Sequence, residues 1–223
     1  MAIRIRNAPS PRRRSSSAPS AVELRRRGDG AFLNLIAGRV LMTSNDRRSE
    51  QALATLACQG LAAQRPRVLI GGLGMGYTVR AALDALPAAA EVVVAELTPE
   101  IEAWCRGPLA PLTGAALDDP RVRVVIGDVA RTIAGAPRGH YDAILLDLYE
   151  GPHAATQRTD DPFYGKAALA ASRAALAAGG VLAVWSEDPD EAFARRLATA
   201  GFELEVRRLG KPRRHVVYLA RRR

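Results

Sequence analysis

From about residue 65 the chain alternates short apolar runs with alanine-rich stretches of helical character. The apolar runs are rich in Val, Ile and Leu, as is typical of strands buried on both faces. Strands are predicted on this basis at 67–71, 91–96, 121–127, 141–148 and 180–186. Helices are predicted at 77–86, 99–105, 128–134, 163–178 and 190–200, the fourth being ended by Gly179 and Gly180. This alternation is typical of a parallel α/β sheet.

The two ends of the α/β region follow other patterns. The final runs, FELEVRRL and HVVYLA around the turn GKPRR, predict an antiparallel pair that closes the sheet. Near the start, VELRRR, AFLNLIAG and RVLMT predict a small β meander, and SEQALATLACQGLA predicts an amphipathic helix. The predicted fold is therefore α/β, a doubly wound, mostly parallel seven-stranded sheet with a small N-terminal β appendage. The expected organisation is a tail at 1–20, the meander and helix at 21–64, and the α/β domain at 65–223.

Composition excludes several classes of protein. The 223 residues are 48% hydrophobic and 25% charged, so the chain as a whole is not disordered. The longest uncharged stretches, such as 51–64, fall short of the roughly 20 apolar residues that a membrane span needs. Cys58 and Cys105 lie far apart, and the three histidines are scattered, so neither a disulfide framework nor a metal site is expected. We expect a protein of a reducing, cytoplasmic compartment with no membrane partner.

The net charge is distributed unevenly along the chain, and this changes what it implies. A charge of +9 is typical of proteins that bind nucleic acid. Residues 1–27 carry +7 and residues 207–223 carry +8, so the middle of the chain carries −6. The acidic body makes nucleic acid an unlikely partner. The Pro-, Ser- and Arg-rich tail 1–20 is predicted to be disordered, and it has neither the apolar run of a secretory signal nor the helix of a transit peptide.

A nucleotide site is predicted from one glycine motif and two acids. The motif IGGLGMG at 70–76 follows a strand and opens a helix, so its glycines allow a tight turn and a close backbone approach to a ligand. Glu96 ends the next strand, where a carboxylate can accept hydrogen bonds from both ribose hydroxyls. Asp128 follows the third strand, where it can read an adenine edge. The alternatives are packing glycines, a surface acid at Glu96 and a helix N-cap at Asp128.

A dinucleotide-dependent oxidoreductase is a competing interpretation of the same glycines. The antiparallel pair at the end, the acid after the third strand, and the lack of room for a second catalytic domain in 223 residues count against it.

These motifs together resemble the class I S-adenosylmethionine-dependent methyltransferase fold, a Rossmann-like fold, and within it the spermidine synthase (polyamine aminopropyltransferase) group. The resemblance covers roughly residues 30–205. RVLIGGLGMGYTVRAAL is similar to the glycine motif of that group, VVVAELTPEI to its acidic strand end and DDPRVRVVIGDV to its adenine-side segment. YDAILLDLYEGP is similar to its catalytic loop, DDPFYGKAAL to its F-Y helix start and LAAGGVLAVW to its last parallel strand.

The resemblance implies a role for each candidate residue. The glycines Gly72, Gly74 and Gly76 would border the methionine-derived part of the cofactor, either S-adenosylmethionine or its decarboxylated form. Glu96 would bind the ribose and Asp128 the adenine, and with the three glycines they form the expected cofactor site. The expected partner is a small-molecule amine, and assembly as a homodimer is compatible with the resemblance.

The catalytic residues implied by the resemblance are Asp147 and Glu150. Asp147 ends a buried strand and is the candidate base that takes a proton from the amine, while Glu150 stands where the second acid of the family's D-x-x-D pattern would lie. Two nearby carboxylates would attract a cationic amine. The alternative is that Asp147 caps its loop and Glu150 is solvated.

Two departures from the family pattern leave the substrate open. GGLGMG contains no aspartate to hold a free amine of the cofactor, and Arg48, Ser49, Glu50 and Gln51 replace an expected tyrosine-histidine pair. The leading hypothesis is a spermidine synthase-like transferase that moves an alkyl group, aminopropyl by family analogy, to an amine. A methyltransferase is the alternative, and a catalytically silent domain that binds a nucleoside or a partner is the third hypothesis.

Overall fold

The computed structural model describes residues 3–4, 22–149, 151–153, 158, 160–209 and 215–223. By its internal contacts the chain divides into two units, Met1–Arg47 and Arg48–Arg223. No helix within the described ranges combines the length and the apolar character needed to cross a membrane.

The N-terminal unit is an antiparallel sheet in the order β1-β2-β3-β4. Its strands are β1 (Ile3–Arg4), β2 (Val22–Arg26), β3 (Phe32–Ile36) and β4 (Arg39–Thr43). Leu24 and Leu35 are its most deeply buried apolar side chains. The predicted β appendage is confirmed.

The second unit is built on a seven-stranded sheet in the order β10-β11-β9-β8-β5-β6-β7. Only β11 runs against the other strands, because it pairs antiparallel with both β9 and β10. The predicted doubly wound, mostly parallel sheet is confirmed. The strands are β5 (Arg67–Gly71), β6 (Glu91–Glu96), β7 (Val122–Ile126), β8 (Tyr141–Leu146), β9 (Leu176–Ser186), β10 (Phe202–Arg208) and β11 (Val216–Arg222).

The helices of this unit are α1 (Arg48–Cys58), α2 (Tyr77–Ala85), α3 (Pro99–Arg106), α4 (Ala110–Thr113), α5 (Val129–Ala134), α6 (Lys166–Ala175) and α7 (Glu191–Thr199). Helices α1, α3, α5, α6 and α7 contact strands of the sheet. A short 3-10 turn at Ala116–Asp118 follows α4, and neither of these two elements was predicted. On one side of the core, Phe193 makes edge-to-face contacts with Tyr164 and Tyr218.

Helix α1 belongs to the second unit, whereas the sequence pattern grouped it with the meander. Its apolar face, formed by Leu53, Ala54 and Ala57, is buried and packs against α2 and the sheet. Burial of this face, and not closeness in sequence, decides where the helix lies.

The glycine pair near residue 180 does not end a helix, contrary to prediction. Helix α6 ends at Ala175, and the fully buried Leu176 already pairs with Tyr141 in β9. Gly180 lies inside this strand where the register shifts, and a Cβ there would lie 2.9 Å from the carbonyl oxygen of Ala177. The pair therefore serves a strand irregularity that needs close backbone packing.

Candidate functional site

The C-terminal ends of β5, β6, β7 and β8 lie side by side at one edge of the sheet. From β5 the chain builds β6 and β7 on one side and then crosses over to build β8 and β9 on the other. The ends of β5 and β8 thus flank a topological switch point, where open α/β sheets bind ligands. Every predicted site residue within the described ranges ends or follows one of these four strands.

The glycine loop joins β5 to α2 in a conformation that only glycine adopts easily. Gly72, Gly74 and Gly76 all have positive φ, at 88°, 55° and 83°. The requirement is strictest at Gly72, where a Cβ atom would lie 2.3 Å from the carbonyl oxygen of Asp147. The loop backbone therefore runs directly against the end of β8. Helix α2 begins immediately after the loop, and its N-cap, Gly76, has no side chain.

Glu96 links the glycine loop to β6. Its buried carboxylate accepts hydrogen bonds from the backbone N–H of Leu73 at 2.9 Å and from that of Thr98 at 2.8 Å. Each carboxylate oxygen has further acceptor capacity, so Glu96 can also accept hydrogen bonds from ribose hydroxyls. The side chain is not the surface acid that was the alternative.

Asp128 acts as the N-cap of α5. Its Oδ1 accepts a hydrogen bond from the backbone N–H of Ala130 at 2.8 Å, as the structural alternative expected. Capping occupies one carboxylate oxygen and does not exclude a contact between the other and a base.

Two exposed apolar side chains accompany these acids. Leu97 is 71% exposed and Ile126, which pairs with Glu96 across β6 and β7, is 45% exposed. Large apolar side chains this exposed are few among the described residues. Here they lie next to polar acceptors at adjacent strand ends. This combination of surfaces suits a ligand with a flat apolar ring and polar edges.

Asp147 follows β8 and has a strongly perturbed carboxyl group. The side chain keeps some solvent exposure, but the carboxyl group is deep among protein atoms, and its pKa is raised from the ordinary 3.8 to about 7, chiefly by this burial. The negative charge of Glu50 contributes to the rise, while a hydrogen bond donated by Thr78 Oγ1 to Asp147 Oδ2 opposes it. A carboxyl group that titrates near neutral pH suits a general base.

Glu50 and Thr78 were not predicted as site residues. Glu50 is only 9% exposed, although it lies in the first turn of α1, and it accepts a hydrogen bond from Ser49 Oγ at 2.7 Å. The sequence does contain a pattern that could have predicted the burial of Glu50. One helical face is formed by Glu50, Leu53, Ala54 and Ala57. An acid on the apolar face of a helix indicates a buried carboxylate, and the charge of this one acts on Asp147.

The loop after β8 is held against the end of β9. Gly151 has a φ of 68°, and a Cβ there would lie 2.3 Å from the carbonyl oxygen of Trp185. Ser186 Oγ donates a hydrogen bond to the carbonyl oxygen of Pro152 at 3.1 Å. Gly151 thus allows this close contact. Glu150 lies outside the described residues, so its predicted role stays a prediction.

Tyr164 lies just before α6 and brings a phenol close to these acids. It is 3% exposed, and its hydroxyl has no hydrogen-bond partner within the described part of the chain. Burial, together with the charges of Asp161 and Asp147, raises the pKa of this hydroxyl. Asp161 itself accepts hydrogen bonds from the backbone N–H groups of Phe163 and Tyr164 and so organises the turn that carries the phenol.

Among the residues that the structure describes, no cluster of His, Cys, Asp or Glu side chains could hold a metal ion. The donor set at the sheet edge consists of carboxylates, hydroxyls, backbone groups and exposed apolar side chains. These groups fit an adenosyl ligand, whose ribose and base offer both hydroxyls and a ring.

Known proteins similar in sequence include two kinds of transferase. No family model matches the chain. The polyamine aminopropyltransferase of Mycobacterium tuberculosis is 32% identical over 176 residues, which make up 78% of this chain and 32% of that protein. Putrescine N-methyltransferase 1 of Nicotiana tabacum is 31% identical over 121 residues, which make up 54% of this chain and 30% of that protein. The chain thus spans about a third of the length of these curated relatives.

Solved structures share the fold. Spermidine synthase from Thermotoga maritima matches with a TM-score of 0.73 at 23% identity, covering 90% of this chain and 69% of that one. A spermidine synthase in complex with the transition-state analogue AdoDATO gives the same TM-score at 22% identity, covering 93% and 71%. Human methyltransferase-like protein 13, in complex with SAH, gives 0.60 at 21% identity, covering 78% and 82%. In sequence the chain is therefore similar to polyamine aminopropyltransferases, and it shares the class I methyltransferase fold of the spermidine synthases.

Proposed function

We propose that this chain transfers an alkyl group from an adenosyl sulfonium to an amine, and that the group is aminopropyl. The observation that carries the proposal is Asp147, a carboxyl group with a pKa of about 7 beside the glycine loop at the switch point of the sheet. Relatives named polyamine aminopropyltransferase support the choice of group and of a polyamine-type acceptor.

The donor would occupy the edge formed by β5, β6 and β7. Glu96 would hold the ribose, with Leu97 and Ile126 beside the adenine and Asp128 at its polar edge. The three glycines let the backbone approach the remainder of the donor. When bound, the sulfonium supplies an electrophilic carbon and a thioether leaving group, and the protein supplies alignment and a proton acceptor.

The work of Asp147 is to take a proton from the acceptor nitrogen. A primary amine such as a lysine side chain has a pKa near 10.4, so it reaches the site as an ammonium. Raising the pKa of Asp147 from 3.8 to about 7 brings it roughly three units closer to that of the amine. This makes proton transfer to Asp147 less unfavourable by on the order of 4 kcal/mol. The freed nitrogen lone pair forms the new C–N bond as the C–S bond breaks.

The proposal is tested by identifying the nucleoside product. Purified protein is incubated with decarboxylated S-adenosylmethionine and putrescine, and the products are separated and weighed by mass spectrometry. Aminopropyl transfer releases methylthioadenosine together with spermidine. Absence of a transfer product with either donor form, across a panel of di- and polyamines, would reject the enzyme hypothesis.

Asp147→Asn tests the role of the base. Turnover should fall by a factor on the order of 10² to 10⁴, because the amide cannot accept the proton. Affinity for methylthioadenosine should stay within a few fold, since Asp147 is not part of the nucleoside contacts. The exposed Asp188 offers a matched control, and Asp188→Asn should leave both quantities unchanged.

Methyl transfer to a similar amine is the second candidate. It is favoured by the likeness to putrescine N-methyltransferase and by a glycine loop, 71–76, that contains no acid to hold a free amino group of the donor. In the same assay with S-adenosylmethionine as donor, this activity would release S-adenosylhomocysteine and N-methylputrescine.

A further inference from the structure

Strand β10 lies at one end of the seven-stranded sheet. Among the strands that the structure describes, β11 is the only one that pairs with it. The strand is seven residues long, so its outer edge presents a row of backbone N–H and C=O groups. Another strand can bind such an edge, and the order of charges along β10 indicates which strand fits it.

The backbone groups that point outward from β10 belong to its even-numbered residues. The ladder with β11 continues to Leu209, whose N–H donates a hydrogen bond to the carbonyl oxygen of His215 at 2.8 Å. In an antiparallel ladder, residues bonded to the partner in this way alternate with residues whose N–H and C=O point away from it. Counting back from Leu209, the backbone groups of Leu204, Val206 and Arg208 point away from β11. A further strand would bind β10 through these groups.

The odd-numbered side chains of β10 carry charges that complement a second copy of the same strand. Glu203, Glu205 and Arg207 are exposed, and Arg207 forms an ion pair with Glu205. When two antiparallel copies of β10 pair about Val206, Glu205 of each copy lies opposite Arg207 of the partner subunit. Moving the two-fold axis by one residue, to Glu205 or to Arg207, places like charges directly opposite each other, which is unfavourable. The charges therefore favour one register.

We propose that two copies of this chain associate through their β10 strands, antiparallel and with Val206 at the two-fold axis. Residues 204, 206 and 208 would exchange about six backbone hydrogen bonds with the partner subunit. The two Val206 side chains, each 41% exposed in the single chain, would cover each other. Glu205 and Arg207 of both subunits would form a closed ring of alternating charge, since side chains are closest in pairs that do not exchange backbone hydrogen bonds.

This interface is isologous, because the same strand contributes to both sides. It joins the two seven-stranded sheets into one. Strand pairing alone covers little surface, so we expect a reversible dimer with a Kd on the order of 10 µM. The inference goes beyond the proposed function and does not depend on it. Strands β11, β9 and β8 separate β10 from the proposed donor site at β5, β6 and β7.

Sedimentation velocity of the full chain, from about 1 to about 200 µM, measures the dimer Kd. Glu205→Arg and Arg207→Glu each place like charges opposite each other, so each should raise this Kd at least about 10-fold. Glu203→Arg is the matched control, because it makes the same change in net charge as Glu205→Arg on the same side of β10. In the proposed register Glu203 lies opposite Leu209 of the partner subunit, so the Kd of this variant should stay within about threefold of the wild type.

A mixture of the two charge variants tests the register. In a mixed dimer of Glu205→Arg and Arg207→Glu, every charge at these positions lies opposite a charge of the other sign. Native mass spectrometry of the mixture should therefore show the mixed dimer in excess over both homodimers. The double variant, with both replacements in one chain, restores opposite charges and should dimerise with a Kd close to that of the wild type.

Val206→Cys tests the position of the two-fold axis. Residues that exchange backbone hydrogen bonds across an antiparallel pair have Cα atoms about 5.5 Å apart, a separation that a disulfide can span. The native Cys58 and Cys105 are buried, so mild oxidation should join two chains through the introduced thiol. Val40→Cys is the control, because Val40 is 49% exposed but lies on β4, and this variant should stay monomeric on a non-reducing gel.

Two results would overturn the inference. One is a wild type that stays monomeric at about 200 µM and a Val206→Cys variant that gives no cross-linked dimer. The other is a dimer whose Kd does not change in Glu205→Arg and Arg207→Glu, because its interface would then lie elsewhere. The substituted side chains are all exposed, and circular dichroism of each variant checks that the fold is kept.

Discussion

Replacing Asp147 with asparagine should make the folded chain more stable at alkaline pH. The carboxyl group has a pKa of about 7 in the folded chain and an ordinary pKa of 3.8 when exposed in the unfolded chain. Between these two values the unfolded chain has already lost the proton while the folded chain keeps it. The contribution of Asp147 to the free energy of unfolding therefore falls as the pH rises from about 4 to about 7 and is constant above that.

The size of the effect follows from the difference in pKa. About three units correspond to on the order of 4 kcal/mol of destabilisation above pH 7, relative to a side chain that does not titrate. This is an upper value, because asparagine cannot accept the hydrogen bond from Thr78 in the same way as a carboxylate. Between pH 5 and pH 8, the advantage of Asp147→Asn over the wild type should grow by on the order of 2 to 3 kcal/mol.

Urea denaturation at pH 5, 6, 7 and 8 measures this growth directly. The free energies of unfolding of the wild type, Asp147→Asn and the exposed control Asp188→Asn are compared at each pH. A difference between the wild type and Asp147→Asn that does not change with pH would refute the assigned pKa. A wild type that gains stability relative to the variant at pH 8 would contradict both the pKa and the burial of the carboxylate.

Three other changes test the remaining parts of the site. Gly72→Ala places a Cβ atom 2.3 Å from a carbonyl oxygen at positive φ, so thermal denaturation should show a loss of more than about 2 kcal/mol; a wild-type Tm would contradict the loop geometry. Glu96→Gln should weaken methylthioadenosine binding by roughly 10- to 100-fold in calorimetry, because an amide offers one acceptor oxygen to contacts that use two, and unchanged affinity would remove Glu96 from the ribose site. Burial raises the pKa of Cys58 and Cys105 to about 12, so iodoacetamide at pH 8 should modify them only in denaturant, as mass spectrometry of native and unfolded samples can check.

Much of the α/β architecture could be predicted from local patterns. β5 and β6 have the predicted bounds, because continuous Val, Ile and Leu runs are bounded by charged residues or glycine. The start of β9 could not be predicted in this way. The alanine-rich stretch before Gly179 favours a helix by propensity, but the buried Leu176 pairs with Tyr141 and makes the segment a strand.

Chain order also predicted which residues lie at the ligand edge. Glu96 and the glycine loop follow strands that are neighbours in the sheet, so the hydrogen bond between Glu96 and Leu73 is a consequence of topology. The cap made by Asp128 is local and was one of the two predicted alternatives. The sequence by itself thus determined the fold, the glycine loop and the acids at the strand ends, because these depend on periodicity and on the order of elements.

Only the tertiary structure decided that the charge of Glu50 acts on Asp147. Glu50 lies 97 positions earlier in the chain, and its helix reaches the site because an apolar face packs on α2 and the sheet. Tyr164 follows Asp147 in the chain and lies in the turn that Asp161 organises through hydrogen bonds. The pKa of Asp147 depends on its burial, on the charge of Glu50 and on the hydrogen bond from Thr78, and no local pattern specifies their combined effect.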